Sequence, residues 1–488
     1  MGTCEFPLTD KLQCGLETEM DKNRCQFHEM PVENRANIGR LTKYVLDSPR
    51  IQNGVLYLTG MKFEDIDWNS VLSDFHGEIN FSGAKFVDCA FREVNFDGPA
   101  NFVGTIFENT DFAAVSFLGG VDFTGARFGG NKTPFDLCTF EAGTWSGFGN
   151  QLDVTFDGVV FEGRDMPFLS CYISGRKVSF MDAIIDSRTF RIRFYRPGVE
   201  MHHHQHLSIA SEEIDLSNLS FNGHFDYSQD RESKDVAPLV DFSRVHFATM
   251  ATAAFIEANL TKALFQYSVL DKVLYFGCEW PRRGDNPTPD SKESRGRKIL
   301  YDDIMSRTEN GKQATASSDE LVRLYVQLKR NFEDSRDYMG ASDWFYREME
   351  CRRRAAKSNI KWSPWTSRGY RLTCQFYKLV SRYGENYWRP FWLFVIAQFG
   401  FSMWYLIVGI PLRGDLWELN YDLFASGTFN WCDIYRAFAF GFQALILRLP
   451  NNLEFSKWSG WPVFACHFLT TATLVPLFLL ALRRKFRR

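Results

Sequence analysis

The sequence predicts a mixed fold, in which a β-solenoid precedes an α-helical membrane domain. Two observations lead to this prediction. In "FSGAKFVDCAFREVNF" a phenylalanine recurs every fifth residue, at Phe81, Phe86, Phe91 and Phe96, and neither a strand nor a helix has that period. Near the C-terminus, the uncharged segments 391–410 and 460–482 contain 20 and 23 residues. Each is long enough to cross about 30 Å of hydrocarbon.

The first element, residues 1–49, contains a candidate zinc site. Its ligands would be Cys4, Cys14, Cys25 and His28, and the last two have the short spacing that lets both side chains reach one ion. Three thiolates and an imidazole suit tetrahedral zinc, and four protein ligands make the site structural. The alternative is that these are ordinary reduced cysteines, as expected for the 11 cysteines of a cytosolic body.

The second element, residues 50–280, carries the five-residue period. Upstream the period is held by Leu58, Phe63 and Trp68, and downstream by Phe255, Leu260, Phe265, Leu270 and Tyr275. In the main run, small or β-branched residues stand two positions before each large one. The main run continues, with two one-residue slips, at Phe102, Phe107, Phe112, Phe117, Phe123 and Phe128. Insertions are predicted near 186–212 and 223–240, where the period breaks.

This pattern resembles that of the pentapeptide-repeat proteins. The resemblance implies a right-handed square β-helix with one five-residue unit on each side. Four units, about twenty residues, would then rise by one strand spacing of roughly 4.8 Å.

Residues 281–317 are expected to form a linker, and residues 318–390 a helical hairpin followed by a basic helix. From Ser318 the apolar residues follow a helical period, with Ser318 or Asp319 as the expected N-cap. The segment "SPWTSRGYRLTCQFYKLVSRY" mixes aromatic and basic residues, which fits a helix in the membrane interface that is attracted to anionic lipid. A solvated basic linker is the alternative.

Residues 391–488 are expected to form a two-helix pore domain. Between the two spans, the apolar run 434–447 is too short to cross a bilayer and is interpreted as a re-entrant pore helix. Basic flanks favour cytoplasmic termini and a bacterial inner-membrane, multi-pass location. A two-helix subunit cannot enclose a conduit alone, so a homo-oligomer, most simply a tetramer, is expected. The candidate pore residues are Phe440, Gln443, Leu447, Arg448, Asn451, Asn452 and Pro476.

A ligand site is expected on the soluble part. The net charge of −3 excludes a uniformly basic nucleic-acid binder, but basic and aromatic residues interleave in "SRTFRIRFYRPG". As a strand, this segment would bury Phe190, Ile192 and Phe194 and leave the arginines outside. Such a face suits phosphate contact and base stacking. The candidates are Arg191, Arg193, Tyr195, Arg196, Arg282 and Arg283. A solvated surface or a subunit contact is the alternative.

Over nearly its whole length, the chain resembles bacterial pentapeptide-repeat membrane proteins that carry a two-transmembrane, channel-like domain. Proteins of this plan include membrane effectors of anti-phage defence, among them the channel effector of the Hailong system. The resemblance implies a pore held shut by an oligonucleotide, such as single-stranded DNA, made by a partner nucleotidyltransferase. It also implies growth arrest by depolarisation when the pore opens. Motifs of catalysis are lacking, so no enzyme activity is expected. The alternative is a membrane-anchored scaffold for protein–protein interaction.

Overall fold

A computed structural model describes the backbone in segments that together cover most of the chain. The chain divides into two compact units, Met1–Asp337 and Tyr338–Arg488. The described residues are 2–3, 7–9, 12–13, 17–18, 51–52, 55–72, 76–130, 134–141, 154–162, 167–186, 189–194, 207–221, 224–229, 237–247, 252–282, 297–308, 317–358, 364–408, 410–412, 417–419, 431–445 and 460–486.

The strands are short and lie mainly in the first unit. The first seventeen are β1 Gly2–Thr3, β2 Pro7–Thr9, β3 Leu12–Gln13, β4 Glu17–Thr18, β5 Ile51–Gln52, β6 Val55–Tyr57, β7 Lys62–Glu64, β8 Glu78–Asn80, β9 Lys85–Val87, β10 Ala90–Arg92, β11 Asn95–Phe96, β12 Ala100–Asn101, β13 Ile106–Glu108, β14 Asp111–Ala113, β15 Ser116–Phe117, β16 Val121–Asp122 and β17 Arg127–Gly129. The others are β18 Phe135–Asp136, β19 Thr139–Glu141, β20 Val154–Thr155, β21 Val160–Glu162, β22 Phe168–Leu169, β23 Tyr172–Ser179, β24 Ile184–Asp186, β25 Thr189–Phe194, β26 Leu207–Asp215, β27 Ser220–Phe221, β28 His224–Gln229, β29 Leu239–Asp241, β30 His246–Phe247, β31 Thr252–Ile256, β32 Ala263–Leu264, β33 Leu274–Phe276, β34 Ile410–Leu412 and β35 Trp417–Leu419.

The helices are α1 Asn69–Leu72, α2 Tyr301–Thr308, α3 Ser318–Asp334, α4 Tyr338–Ser358, α5 Pro364–Ser381, α6 Trp388–Val408, α7 Trp431–Leu445 and α8 Gly460–Phe486. Apart from the short α1, the helices follow the strands of the repeat region, and β34 and β35 lie between α6 and α7.

The strands of the repeat region stack as parallel ladders, which is the architecture of a β-solenoid. Strand β13 pairs in parallel with β9 below it and β17 above it, so Phe107 faces Phe86 on one side and Phe128 on the other. One coil here takes 21 residues, from Phe86 to Phe107. The expected twenty is exceeded because each coil of the main run contains one of the one-residue slips.

The phenylalanine column forms the core of the solenoid, as the period predicts. Phe107 lies 5.2 Å from Phe86 and 4.6 Å from Phe128 between ring centroids, in stacked geometry. The column residues from Phe81 to Phe128 are buried, and so are their small partners, such as Ala84 and Val115. Each large side chain therefore packs on the equivalent side chain one coil away. The five-residue period is thus sufficient to identify the residues of this core.

The interrupted part of the solenoid contains four longer strands, β23, β25, β26 and β28. Strand β23 pairs with β19 through its first residues and with β20 through its last. One long strand thus pairs with two separate strands of the preceding coil. Strand β25 lies inside the region where an insertion was predicted, yet it pairs in parallel with both β26 and β28. These strands thus remain part of the sheet although the five-residue period is lost.

Helices α2 and α3 cap the C-terminal end of the solenoid. Polar side chains of these helices accept hydrogen bonds from backbone N–H groups of the last coils. In a longer solenoid, the carbonyl groups of a further coil would accept these bonds. The bonds join Asp302 to Phe265, Glu320 to Tyr267, Gln327 to Leu270 and Asn331 to Lys272, at 3.0 to 3.3 Å. The cap satisfies a sheet edge that would otherwise be open to pairing with another chain.

Helix α3 confirms the predicted amphipathic face and corrects its predicted cap. Leu321, Leu324 and Leu328 are buried, as the helical period requires. The N-cap is Ser317, whose side chain accepts a hydrogen bond from the Glu320 N–H. Ser318 and Asp319, the predicted caps, already lie inside the helix. The difference is one residue, because a cap stands just before the first helical residue.

In the second unit, a turn with an unusual backbone connects α5 to α6. Arg382, Tyr383 and Gly384 all have positive φ angles, of 50°, 62° and 81°. Tyr383 is buried, and its hydroxyl donates a 2.8 Å hydrogen bond to Glu350 of α4. Glu350 also pairs with Arg353 at 3.0 Å and with Lys378 of α5 at 3.3 Å. This buried network holds the left-handed turn and so sets where α6 begins.

Helices α6, α7 and α8 are the apolar elements of the second unit. Within the described part of the chain, one stretch, Gly460–Arg483 of α8, has the length (24 residues) and mean hydropathy (1.9) that crossing a membrane requires. The other predicted span, 391–410, overlaps α6, and its crossing of a membrane stays a prediction. The two helices pack together, with Phe391 and Phe478 at 5.8 Å between ring centroids.

Candidate functional site

Helices α6 and α8 enclose a small polar cluster within otherwise apolar surroundings. Gln398, Ser402 and Tyr405 stand on one face of α6, at intervals of four and three residues, and His467 faces them from α8. All four side chains are buried. Polar groups are costly to bury among apolar helices, so such a cluster is a candidate functional site.

His467 is the centre of the cluster and uses both ring nitrogens. Its Nδ1 lies 3.1 Å from the Tyr405 hydroxyl, and its Nε2 lies 3.0 Å from Gln398 Oε1. An amide oxygen can only accept, so Nε2 carries the proton and Nδ1 accepts from the Tyr405 O–H. The neutral imidazole therefore satisfies both neighbours, whereas a doubly protonated ring would lose the bond from Tyr405.

Helix α7 closes the cluster from a third side through a glycine. A Cβ atom placed on Gly441 would clash with the Gln398 side-chain amide and would lie 3.1 Å from Ser402 Oγ. The absent side chain lets α7 approach α6 closely. Within the described residues, Gln398 Nε2 and Ser402 Oγ have no hydrogen-bond partner. Both atoms are therefore polar groups that can take a further partner at the crossing of α6 and α7.

Aromatic rings surround the hydrogen-bonded groups. Phe401 stacks on the imidazole of His467 at 4.7 Å, and Phe440 of α7 meets Tyr405 edge-on at 5.1 Å. These rings exclude water from the cluster and strengthen its hydrogen bonds. The cluster thus joins α6 and α8 through hydrogen bonds that depend on one protonation state of His467, and α7 packs against it through Gly441 and Phe440.

Other polar residues of α8 are satisfied within their own helix. The Thr470 hydroxyl donates to the Cys466 carbonyl at 2.7 Å, and the Thr473 hydroxyl donates to the Thr470 carbonyl at 2.8 Å. Thr470 is half-buried and Thr473 is exposed. These hydrogen bonds stay within α8, whereas those of His467 reach α6.

The predicted pore residues have different positions. Phe440 lies in α7 and contacts the cluster through Tyr405, whereas Pro476 lies in α8 and is exposed. Gln443 lies in α7, and its side chain is outside the described part of the structure. Leu447, Arg448, Asn451 and Asn452 also lie outside the described residues. The residues that sequence reasoning missed are Gln398, Ser402, Tyr405 and His467, which appear only as isolated polar letters in apolar runs.

The segment predicted to contact a ligand forms β25, and its side chains alternate between buried and outward positions as expected. Phe190, Ile192 and Phe194 are buried, and Arg191 points outward. Arg191 Nε lies 3.3 Å from Asp226, and the same carboxylate lies 2.9 Å from His224 Nε2. A phosphate would therefore have to compete with Asp226 for Arg191. Arg193 is half-buried on the same strand and Arg282 is exposed, while Tyr195, Arg196 and Arg283 lie outside the described residues.

The predicted zinc ligands Cys4, Cys14, Cys25 and His28 also lie outside the described residues. Among the residues that are described, no three histidine, cysteine, aspartate or glutamate side chains are grouped to hold a metal ion. Cys89 is fully buried in the solenoid core, and this burial raises the pKa of its thiol to about 11.

Comparison with known proteins supports the repeat architecture. Residues 78–113 match the family model of pentapeptide repeats, in eight copies. This segment contains the strands from β8 to β14 and the column residues from Phe81 to Phe112. Searches of curated proteins and of solved structures gave no match. The similarity that the comparisons show is therefore to the pentapeptide repeats, over this segment of the solenoid.

Proposed function

We propose that this protein is a membrane effector that forms a ligand-gated, oligomeric ion channel. Helices α6 and α8 would be the two spans of each subunit, and α7 would be the re-entrant pore helix between them. Four subunits around one axis would enclose the conduit in the bacterial inner membrane, with both termini in the cytoplasm. In anti-phage defence, its opening would depolarise the cell and arrest growth.

The observation that carries the proposal is the polar cluster at His467. A pair of helices that served only as an anchor would need no buried hydrogen bonds, because apolar side chains pack equally well against lipid and against each other. Here Gln398, Tyr405 and His467 join the two helices, and Gly441 brings the short α7 against them. This arrangement couples the position of a pore helix to the packing of both spans.

The gating signal would be a nucleotide or oligonucleotide bound by the solenoid. Arg191 and Arg193 on β25, together with Arg282, are the described candidates for phosphate contact. Because Asp226 pairs with Arg191, ligand binding would exchange one ion pair for another. We therefore expect Asp226→Asn to tighten the binding of single-stranded DNA, with Asp241→Asn as a control on another strand.

The alternative function is a membrane-anchored scaffold that binds other proteins. It is favoured by the outer surface of the solenoid, on which Lys85 pairs with Glu108 and Arg127 with Glu162 on adjacent coils. Such a regular, self-neutralised surface suits docking. If this function is correct, deletion of residues 426–459 should leave it intact.

Current through a planar bilayer tests the channel. Purified full-length protein should conduct either in the presence or in the absence of single-stranded DNA oligonucleotides. We expect His467→Leu to shift the balance of open and closed states by about 1–3 kcal/mol, because two buried partners lose their bonds. Thr470→Val is the matched control and should leave the current unchanged. Absence of conductance in every ligand state would contradict the proposal.

Two measurements on the detergent-solubilised particle address assembly and ligand together. The mass should correspond to four chains of 56.5 kDa. The ratio of ultraviolet absorbance at the nucleic-acid and protein maxima should reveal any co-purified oligonucleotide. A single-chain particle would exclude the conduit and leave the scaffold.

A further inference from the structure

Helix α5 presents two apolar faces, and only one of them is covered. Cys374 and Val380 are buried, and Cys374 belongs to a cluster with Tyr346 of α4 and Tyr383. The opposite side carries a stripe of large apolar side chains whose exposed fractions are 50% or more. They are Trp365 at 81%, Leu372 at 65%, Phe376 at 50% and Leu379 at 68%. Soluble surfaces rarely leave so many large side chains together in water.

Basic residues border this apolar stripe along one side. Arg368 is exposed at the border, and Arg371 lies on the same side one turn further along. Lys378 is tied to Glu350 at 3.3 Å, which leaves the two arginines as the border charges. Residues 351–389 as a whole contain ten lysines and arginines and one acidic residue. Glu348 and Glu350 pair with Arg352, Arg353 and Lys378, so the positive charge beside the stripe comes from Arg368 and Arg371.

The stripe continues toward the start of the apolar helix α6. The Arg389 guanidinium donates a long 3.5 Å hydrogen bond to the Leu379 carbonyl, which keeps the beginning of α6 beside the end of α5. Trp388 and Trp392 follow there, with 53% and 56% of their surfaces exposed. Tryptophan at the end of an apolar helix is typical of the level of the lipid headgroups.

We propose that α5 is a lipid-binding element that lies flat in the inner membrane leaflet and binds anionic phospholipid headgroups. Trp365, Leu372, Phe376 and Leu379 would enter the acyl boundary, and Arg368 and Arg371 would contact the phosphates. A second copy of this chain fits the stripe poorly, because symmetric pairing would bring two positive borders together. The proposal rests on the membrane location proposed above, but not on ion conduction.

Photo-crosslinking in lipid nanodiscs tests this assignment. Leu372 is replaced by benzoylphenylalanine in the full-length chain, which is placed in nanodiscs of phosphatidylcholine mixed with phosphatidylglycerol. Thr373 is the control position, because it is exposed beside the stripe while its hydroxyl donates to the Gly369 carbonyl at 3.0 Å. We expect lipid adducts at position 372 and few at position 373.

The headgroup preference of the crosslinked lipids is a second measurement. A stripe that was merely buried against protein would show no such preference. Phosphatidylglycerol should be over-represented among the adducts, and Arg368→Gln with Arg371→Gln should lower that enrichment by about fivefold or more while adducts persist. Crosslinks to a second chain, no lipid adduct at 372, or adducts without headgroup preference would each overturn the assignment of α5. A chain that does not enter nanodiscs would overturn the membrane location as well, so the two failures are distinguishable.

Discussion

In the solenoid, Phe91 stacks on Phe112 with ring centroids 4.5 Å apart, and neither ring needs a polar partner. In the helical unit, by contrast, the buried Tyr383 and Tyr405 bond to Glu350 and His467. Both units are rich in aromatic residues, but one core is held by repetition of shape and the other by specific polar pairs. The difference predicts which substitutions destabilise each unit and which change its behaviour with pH.

The largest effect is expected from removing one ring of the phenylalanine column. Phe102 is fully buried and stacks at 5.1 Å on Phe81 and at 4.9 Å on Phe123. Phe102→Ala should lower the free energy of unfolding by about 3–5 kcal/mol, because it leaves a cavity between two coils. Urea unfolding and amide exchange over residues 78–113 would measure the loss. Phe102→Leu should cost less because leucine refills part of the cavity, and equal losses would show that the stacked ring, and not the filled volume, is what this position contributes.

A smaller effect is expected from the polar core of the helical unit. Burial by itself would raise the pKa of Glu350, but Lys378, Tyr383 and Arg353 outweigh burial and lower it. Glu350→Gln should lower the free energy of unfolding by about 1.5–3 kcal/mol, as for hydrogen bonds to charged groups. Thermal unfolding in detergent would measure this change, with the exposed Glu333→Gln as the matched control.

The pH dependence of that loss identifies its cause. Because the folded-state pKa of Glu350 is lowered, its contribution is present above the ordinary value of 4.5 and is lost as pH falls through the lowered pKa. Wild type and Glu350→Gln should therefore converge in stability at acidic pH. A constant difference at every pH would indicate that shape, and not charge, carries the effect.

The same contrast explains how much of the molecule the sequence predicts. A period of five residues identifies the column from Phe81 to Phe128 without knowledge of which coil lies above which, because each unit packs on its own copy. The polar cluster has no such period. Gln398 and His467 are 69 residues apart, and only the packing of α6 against α8 brings them together. The Ser317 cap was missed by one residue, because serine or aspartate occupies three successive positions there.

At its C-terminal end the solenoid is closed by polar side chains and not by stacked rings, and this difference leads to a third prediction. Asp302 is buried beneath the last coils, and burial raises its pKa to about 7 while the Phe265 N–H opposes that rise. Between its ordinary value of 3.8 and about 7, the folded state holds a proton that the unfolded state releases. Stability should therefore fall as pH rises through this interval.

Asp302→Asn should remove this pH dependence, because the amide keeps an oxygen to accept from Phe265 and cannot ionise. Midpoints of thermal unfolding below and above this interval would show it, with the exposed Asp319→Asn retaining the wild-type profile. If Asp302→Asn showed the same dependence of stability on pH as the wild type, a group other than Asp302 would be responsible for it.

The smallest effect is expected on the outer surface of the solenoid, where Arg127 and Glu162 meet at 2.7 Å with 60% and 55% of their side chains exposed. Water screens such a pair, and ordering two long side chains offsets much of the attraction, so Arg127→Ala should change the free energy of unfolding by less than about 1 kcal/mol. A double-mutant cycle with Glu162→Ala isolates the pair from its surroundings. A coupling energy comparable with the loss at Phe102 would mean that the outer ion pairs, and not the stacked rings, hold successive coils together. The contrast between the two units would then rest on surface charge and not on their cores.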